Sequence, residues 1–67
     1  MYPNVKAEMA RRDITLAKMA EALGVTIGTL SLKLNGKYPI TWDEAVKIKG
    51  FLGVDMPIEN LFSEEAL

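Results

Sequence analysis

Apolar residues recur three and four positions apart along most of the chain, and glycine, proline and threonine divide it into short segments. The alternation expected of a strand occurs only in "TLSLKL", where Leu30 and Leu34 are also four residues apart, as on one side of a helix. The pattern therefore predicts an all-α fold, a compact bundle of five short helices that pack on one another.

Two helices are predicted in the first third of the chain. The first runs from about residue 4 to residue 12, because Pro3 or Asn4 can open a helix. The second follows Thr15, whose hydroxyl can cap the first turn, and it ends before Gly24. Glycine adopts the left-handed conformation of a helix terminus without steric cost, so a tight turn is expected there.

A third helix is predicted to begin after Thr26, a second threonine cap, and to reach about Leu34. Asn35 and Gly36 then stop it, because both residues tolerate a positive φ. With the second helix it forms a helix-turn-helix over about residues 15–34, in which two helices of roughly eight residues are joined by a glycine turn.

The fourth helix has the best-defined start, since Thr41 and Glu44 fit the pattern of a capping box. It is expected to end at Gly53, with Trp42 packed against the preceding loop or the edge of the core. Its apolar stripe is predicted to consist of Ala45, Ile48, Phe51 and Leu52.

A short fifth helix is predicted after Pro57. Its Leu61 and Phe62 belong either to the core of the monomer or to a dimer interface, and the core is the preferred interpretation. The chain is thus expected to be a single domain over residues 1–67, with its folded core at about residues 4–62 and a frayed tail at 63–67.

Composition changes this picture in two ways. Cysteine and histidine are absent, so no catalytic residue, metal site or cofactor is predicted, and the protein is not expected to be an enzyme. No apolar run approaches the ~20 residues that span a bilayer, and the N-terminal segment lacks the apolar stretch of a signal peptide. We therefore expect a cytoplasmic protein without membrane association.

Charge is distributed unevenly along the chain. The net charge of −1 argues against a generic nucleic-acid binder. Residues 1–42, however, carry six basic and three acidic side chains, whereas residues 43–67 carry two basic and six acidic ones. A mildly basic end that contains the helix-turn-helix and an acidic end are the expected result.

The start of the third helix is predicted to face outward. Val25 and Leu30 are expected to bury against the second helix, and a small bundle cannot bury every side of a short helix. Ile27 and Leu32 are therefore expected to be exposed. An exposed apolar pair marks a contact surface, for DNA or for protein.

Three blocks of sequence carry a resemblance to a known family. They are "T-x-x-x-M-A-x-x-L-G-V-T-x-x-T-L" at residues 15–30, "KLNGK" at 33–37, and "PITWDEA" at 39–45 leading to "FLGV" at 51–54. In this order and spacing the chain resembles the small helix-turn-helix domains of phage repressors and Cro proteins, within the Cro/C1-type (XRE) regulators. The resemblance covers roughly residues 4–62. It implies a lambda-repressor-like domain that binds double-stranded DNA, usually as a homodimer, with the third helix in the major groove.

The resemblance also implies which residues contact DNA. Ile27, Gly28 and Leu32 match positions that read bases, and Thr29 matches one that contacts bases or backbone. Leu16 matches a phosphate-binding position, and the loop after the third helix lies along the DNA backbone. The full candidate set is Thr15, Leu16, Thr26, Ile27, Gly28, Thr29, Ser31, Leu32, Asn35, Lys37 and Tyr38.

The candidate set departs from the family pattern in being apolar where polar side chains are usual. Ile27 and Leu32 cannot make a bidentate hydrogen bond to a base, although they can contact the methyl group of thymine. The sequence thus leaves two hypotheses. One is a phage-type transcriptional regulator, and the alternative is a protein-interaction module, such as an antirepressor or host-factor inhibitor, that uses the apolar face of Leu16, Ile27 and Leu32.

Overall fold

The computed structural model describes residues 2–65, and it confirms the all-α prediction: within that range the chain forms helices and no strand. The first four helices begin and end within one or two residues of their expected limits, and the fifth begins directly after Pro57 as expected. The five helices are α1 (Pro3–Arg11), α2 (Leu16–Leu23), α3 (Ile27–Leu34), α4 (Trp42–Leu52) and α5 (Ile58–Leu61).

Three threonine caps fix where α2, α3 and α4 begin. The hydroxyls of Thr15, Thr26 and Thr41 each accept the backbone N–H three residues on, at 3.1, 3.1 and 3.2 Å. At α4 the carboxylate of Glu44 also accepts the backbone N–H of Thr41 at 3.0 Å, which completes the expected capping box. All three predicted caps are confirmed.

Glycine turns end α2 and α3 in the same way. Gly24 and Gly36 have φ of 72° and 79°. The next residue in each case donates its N–H back to the last turn, from Val25 to the Ala20 carbonyl at 3.0 Å and from Lys37 to the Leu32 carbonyl at 2.9 Å. These are Schellman motifs, and they set the direction in which the chain leaves each helix.

Every helix contributes to one core. Val25 packs against this core as expected. Leu61 is fully buried and Phe62 is partly buried, so both of these residues join the core of the monomer. The ring of Tyr2 meets that of Phe62 edge-on, with centroids 5.5 Å apart. The buried cluster consists of Val5, Met9, Met19, Ala20, Leu30, Leu34, Ile48, Leu52, Val54 and Leu61.

Two expectations for α4 were wrong. Phe51 was assigned to the apolar stripe, but it is 39% exposed because it is turned about 100° away from the buried Leu52. Trp42 was expected to pack against the loop or the core edge, yet it is 68% exposed at the first position of the helix. α4 therefore displays large apolar side chains on its outer surface.

Two buried polar residues of α1 were not predicted. The side-chain amide of Asn4 donates to the carbonyls of Asn60 and Glu65, at 2.8 and 3.0 Å, and so ties α1 to α5 and to the segment beyond it. The buried carboxylate of Glu8 forms ion pairs with Arg11 and Arg12. The second hydrogen bond of Asn4 reaches Glu65 in the segment expected to be a frayed tail, and residues 66 and 67 of that segment lie outside the described range.

No helix between residues 2 and 65 has the length and apolar character that crossing a bilayer requires. The same residues contain no cluster of acidic side chains that could hold a metal ion.

Candidate nucleic-acid interface

The first turn of α3 faces away from the core, as the sequence predicted. Leu30 and Leu34 are buried, whereas Ile27 is 51% and Leu32 is 39% exposed. This leaves an outer surface of α3 that we call the recognition face, and it consists of Ile27, Gly28, Thr29, Ser31 and Leu32.

Two threonine hydroxyls lie side by side at the start of the recognition face. The hydroxyl oxygen of Thr26 accepts the N–H of Thr29 at 3.1 Å and lies 2.9 Å from the Thr29 hydroxyl, to which it donates. Thr26 is thereby committed to the cap. The Thr29 hydroxyl lies beside this cap, where it can hydrogen bond to a group outside the protein, such as a base edge or a phosphate oxygen.

Gly28 leaves the backbone of α3 uncovered. A β-carbon at this position would meet no atom within 4 Å, and the residue is exposed. Packing inside the monomer therefore does not require glycine, which is a poor helix former. The absence of a side chain instead allows another molecule to approach the helix backbone closely.

The loop after α3 brings polar groups from three segments together. The side-chain amide of Asn35 donates to the Ser31 hydroxyl at 3.4 Å, and the ammonium group of Lys6 in α1 donates to the Asn35 carbonyl oxygen at 3.4 Å. Lys37 and Tyr38 follow on the exposed loop. Sequence reasoning missed Lys6, because it lies 29 residues from its partner and no local motif joins them.

The charge of Lys33 is already matched inside the protein. Its ammonium group forms an ion pair with Glu44, and both side chains are mostly buried. The hydrogen bond from Lys33, followed by the one from the Thr41 backbone, lowers the pKa of Glu44 below its usual value. Positive charge near α3 therefore comes from Lys6 and Lys37.

Only some of the predicted contact residues at the start of α2 lie fully on the surface. Thr15 is exposed with its hydroxyl engaged in the cap, and Lys18 is exposed one turn later. Leu16 is half-buried and packs against the core, so it contributes only part of its side chain to the outer surface. The apolar face predicted from Leu16, Ile27 and Leu32 consequently rests mainly on the two residues of α3.

These features are those of a helix-turn-helix DNA-binding domain, and comparison with known families agrees. Residues 4–62 match the Cro/C1-type HTH DNA-binding domain, where HTH denotes helix-turn-helix. Because the match extends over most of the chain, the protein belongs to this family, as the sequence resemblance implied. No curated protein and no solved structure matches the chain.

Proposed function

We propose that this protein is a sequence-specific transcriptional regulator of the phage or prophage type, and that it inserts α3 into the major groove of double-stranded DNA. The observation that carries the proposal is the outward first turn of α3, where two exposed apolar side chains and an uncovered glycine stand together. Membership of a DNA-binding family supplies the class of partner.

The recognition face reads bases through methyl groups and one hydroxyl. Ile27 and Leu32 contact the C5 methyl of thymine, and the Thr29 hydroxyl hydrogen bonds to a base edge or a nearby phosphate. Gly28 lets the helix backbone come close to the edge of the groove. This chemistry favours half-sites with thymines on successive base pairs, because an apolar side chain gains nothing from the polar edge of cytosine.

The flanking groups hold the DNA backbone. Lys37, Asn35 and Tyr38 follow α3 on the exposed loop, and Lys6 joins them through its hydrogen bond to Asn35. Thr15 and Lys18 provide a second set of contacts from the start of α2. One copy engages few phosphates, so useful affinity requires two copies, and their combined phosphate contacts make binding fall steeply as salt concentration rises.

One copy covers too little DNA to select a site alone. The eight residues of α3 extend about 12 Å, which is the length of about four base pairs. The proposal therefore includes a homodimer that places two recognition helices on half-sites about 34 Å apart.

A protein-interaction module is the second candidate, and two observations favour it: the apolar character of the recognition face and the ion-paired state of Lys33. DNA is the better fit because Lys6 and Lys37 add positive charge beside the face and α3 itself contains no acidic residue. Glutamine in place of Ile27 and Leu32 would abolish a protein complex that depends on this face. A complex that survives both substitutions unaltered excludes the second candidate.

The experiment that tests the first candidate is selection of bound duplexes from a random pool at two salt concentrations. We expect one enriched site with two half-sites, and weaker recovery at the higher salt concentration. Recovery without any sequence enrichment, or tight binding that is indifferent to salt, contradicts the proposal.

Lys37→Ala and Lys47→Ala make a matched pair for measuring binding to the selected site. Both lysines are exposed, but Lys47 lies on the outer side of α4. Lys37→Ala should weaken binding to every sequence alike and reduce the slope of log K against log salt concentration by about 1. Lys47→Ala should change neither quantity, and equal effects of the two substitutions would rule out a specific role for the loop.

A further inference from the structure

Three polar side chains form a series of hydrogen bonds from α1 to the recognition face. The ammonium group of Lys6 donates to the side-chain oxygen of Asn35, and the side-chain nitrogen of Asn35 donates to the Ser31 hydroxyl, both at 3.4 Å. Ile27, Ser31 and Asn35 follow one another at intervals of four residues, so they lie in one row along α3 and its C-terminal cap. Lys6 therefore acts, through Asn35, on a row of side chains that belongs to the recognition face.

The chemistry of Lys6 fixes the direction of both hydrogen bonds. An ammonium group has donors and no acceptor, so only the oxygen of the Asn35 amide can face it. The amide nitrogen then points toward Ser31, and the serine oxygen is the acceptor of that bond. If the amide were turned over, its oxygen would face Ser31, and the serine hydroxyl would donate its hydrogen to Asn35 instead.

This direction suits the backbone of DNA. Phosphate oxygens accept hydrogen bonds and do not donate them, so a side chain that holds a phosphate must present a donor. With Lys6 in place, the second amide hydrogen of Asn35 and the hydroxyl hydrogen of Ser31 are both left unused by the contact between the two residues. Asn35 is exposed and Ser31 is half-buried, so both groups border the surface.

Lys6 is free to hold Asn35 in this way because its charge is not matched by an ion pair within residues 2–65. Glu8, the only acidic residue of α1, is paired with Arg11 and Arg12. The hydrogen bond from Lys6 to Asn35 is exposed, and such a bond adds little to folding stability because water replaces either partner. Its main effect is therefore on the orientation of the amide.

From these observations we propose that Lys6 is a positioning residue for DNA binding, which orients the Asn35 amide so that Asn35 and Ser31 both present hydrogen-bond donors to the phosphate backbone. The inference rests on the proposed function, which supplies DNA as the acceptor. A lysine that only contacts phosphate would act independently of Ser31, whereas a positioning lysine acts through it. The orientation is measured in the protein without DNA, so the two proposals can fail separately.

Nuclear Overhauser effects in the free protein test the orientation. We expect the side-chain NH₂ hydrogens of Asn35 to show contacts to the β-hydrogens of Ser31 in wild type and in Lys6→Arg, which keeps a side chain with donors only. In Lys6→Met, which has no donor, these contacts should be lost. Lys47→Met changes an exposed lysine of α4 and should preserve them. Contacts that are absent in wild type, or equally strong in Lys6→Met, overturn the inference whatever DNA the protein binds.

A double-mutant cycle on the selected duplex tests how Lys6 acts on binding. Lys6→Met should weaken binding about tenfold in wild type but only about threefold in Ser31→Ala, because one of the donors that Lys6 orients is then missing. Lys6→Arg should restore binding to within about twofold of wild type. Lys37→Ala, which removes an exposed lysine that follows α3, should have the same effect in both backgrounds. Equal effects of Lys6→Met in the two backgrounds would refute the positioning role, since Lys6 would then act through its own charge.

Discussion

The recognition face and the outer surface of α4 and α5, which consists of Trp42, Val46, Gly50 and Ile58 and is here called the α4–α5 face, both have an apolar centre and differ in the charges around it. Each has two exposed apolar side chains and one helical glycine without a packing role in the monomer. Lysines lie beside the first face, whereas Lys49 shares the border of the second with carboxylates. DNA presents one sign of charge, so it suits a surface that lysines border better than one whose border carries charges of both signs. The charges around each surface, more than its apolar centre, therefore indicate whether DNA fits it.

The strongest test of this difference is a carboxylate at the centre of the recognition face. Ile27→Glu should weaken binding to the selected duplex at least about a hundredfold, because the new charge meets phosphates and the acceptors of the groove. Self-association should be unchanged, as measured by sedimentation velocity without DNA. Val46→Asp changes the α4–α5 face instead, and it should retain wild-type binding to a duplex with a single half-site.

Loss of DNA binding in Val46→Asp as well would break the comparison, since DNA binding would then depend on both surfaces. Circular dichroism and thermal unfolding of each variant provide the control for folding. Both positions are exposed, so neither substitution should change the free energy of unfolding by more than about 0.5 kcal/mol.

The ion pair of Lys33 and Glu44 joins the two regions, and Glu44→Gln tests its contribution to stability. Glutamine can still accept the N–H of Thr41, so the capping box remains while the charge is removed. We expect the free energy of unfolding at neutral pH to fall by about 1 kcal/mol, measured by urea denaturation. Asp43→Asn removes an exposed carboxylate of the same turn, and its effect should be smaller.

The contribution of this ion pair to the free energy of unfolding should decrease as the pH falls. The folded protein holds the pKa of Glu44 below its ordinary value of 4.5, so the stabilisation is complete above that pH. It is lost as the pH falls through the lowered pKa of the folded state, where the carboxylate becomes protonated. Wild type should therefore lose more stability than Glu44→Gln on acidification below about pH 4.5. Parallel pH profiles would show that the ion pair does not stabilise the fold.

Local rules predicted the helices because the interactions that delimit them are local. The caps at Thr15, Thr26 and Thr41 each join groups three residues apart, and the turns at Gly24 and Gly36 depend on one backbone angle. The same locality explains why exposure of the first turn of α3 followed from periodicity.

The interactions that tie distant segments were not predictable in this way. Asn4 finds its acceptors 56 and 61 residues away, Lys6 meets Asn35 across 29 residues, and Lys33 meets Glu44 across 11. No sequence period encodes such pairs. For the candidate site, the residues of α3 came from the helix-turn-helix pattern and the family resemblance, whereas Lys6 became visible only in three dimensions.

The large side chains of α4 show a second limit of prediction from hydrophobic periodicity. Periodicity identifies an apolar residue but not which neighbour covers it. Phe51 follows Ile48 at helical spacing, yet it lies on the flank toward α2 and stays partly exposed. Trp42 was expected to pack against the preceding loop or the edge of the core, yet it is 68% exposed.

The smallest effects, and the finest comparison of the two faces, come from Gly28→Ala and Gly50→Ala. Alanine is the better helix former, and neither β-carbon meets another atom, so both variants should be more stable. The gain should reach about 1 kcal/mol for Gly50, inside α4, and be smaller for Gly28, in the first turn of α3. On a duplex with a single half-site, Gly28→Ala should nevertheless bind about tenfold more weakly, because its methyl group stands between the helix and the groove. Gly50→Ala should bind that duplex like wild type. If Gly28→Ala is more stable and binds equally well, the backbone of α3 does not approach DNA closely, and the two glycines have no separate roles.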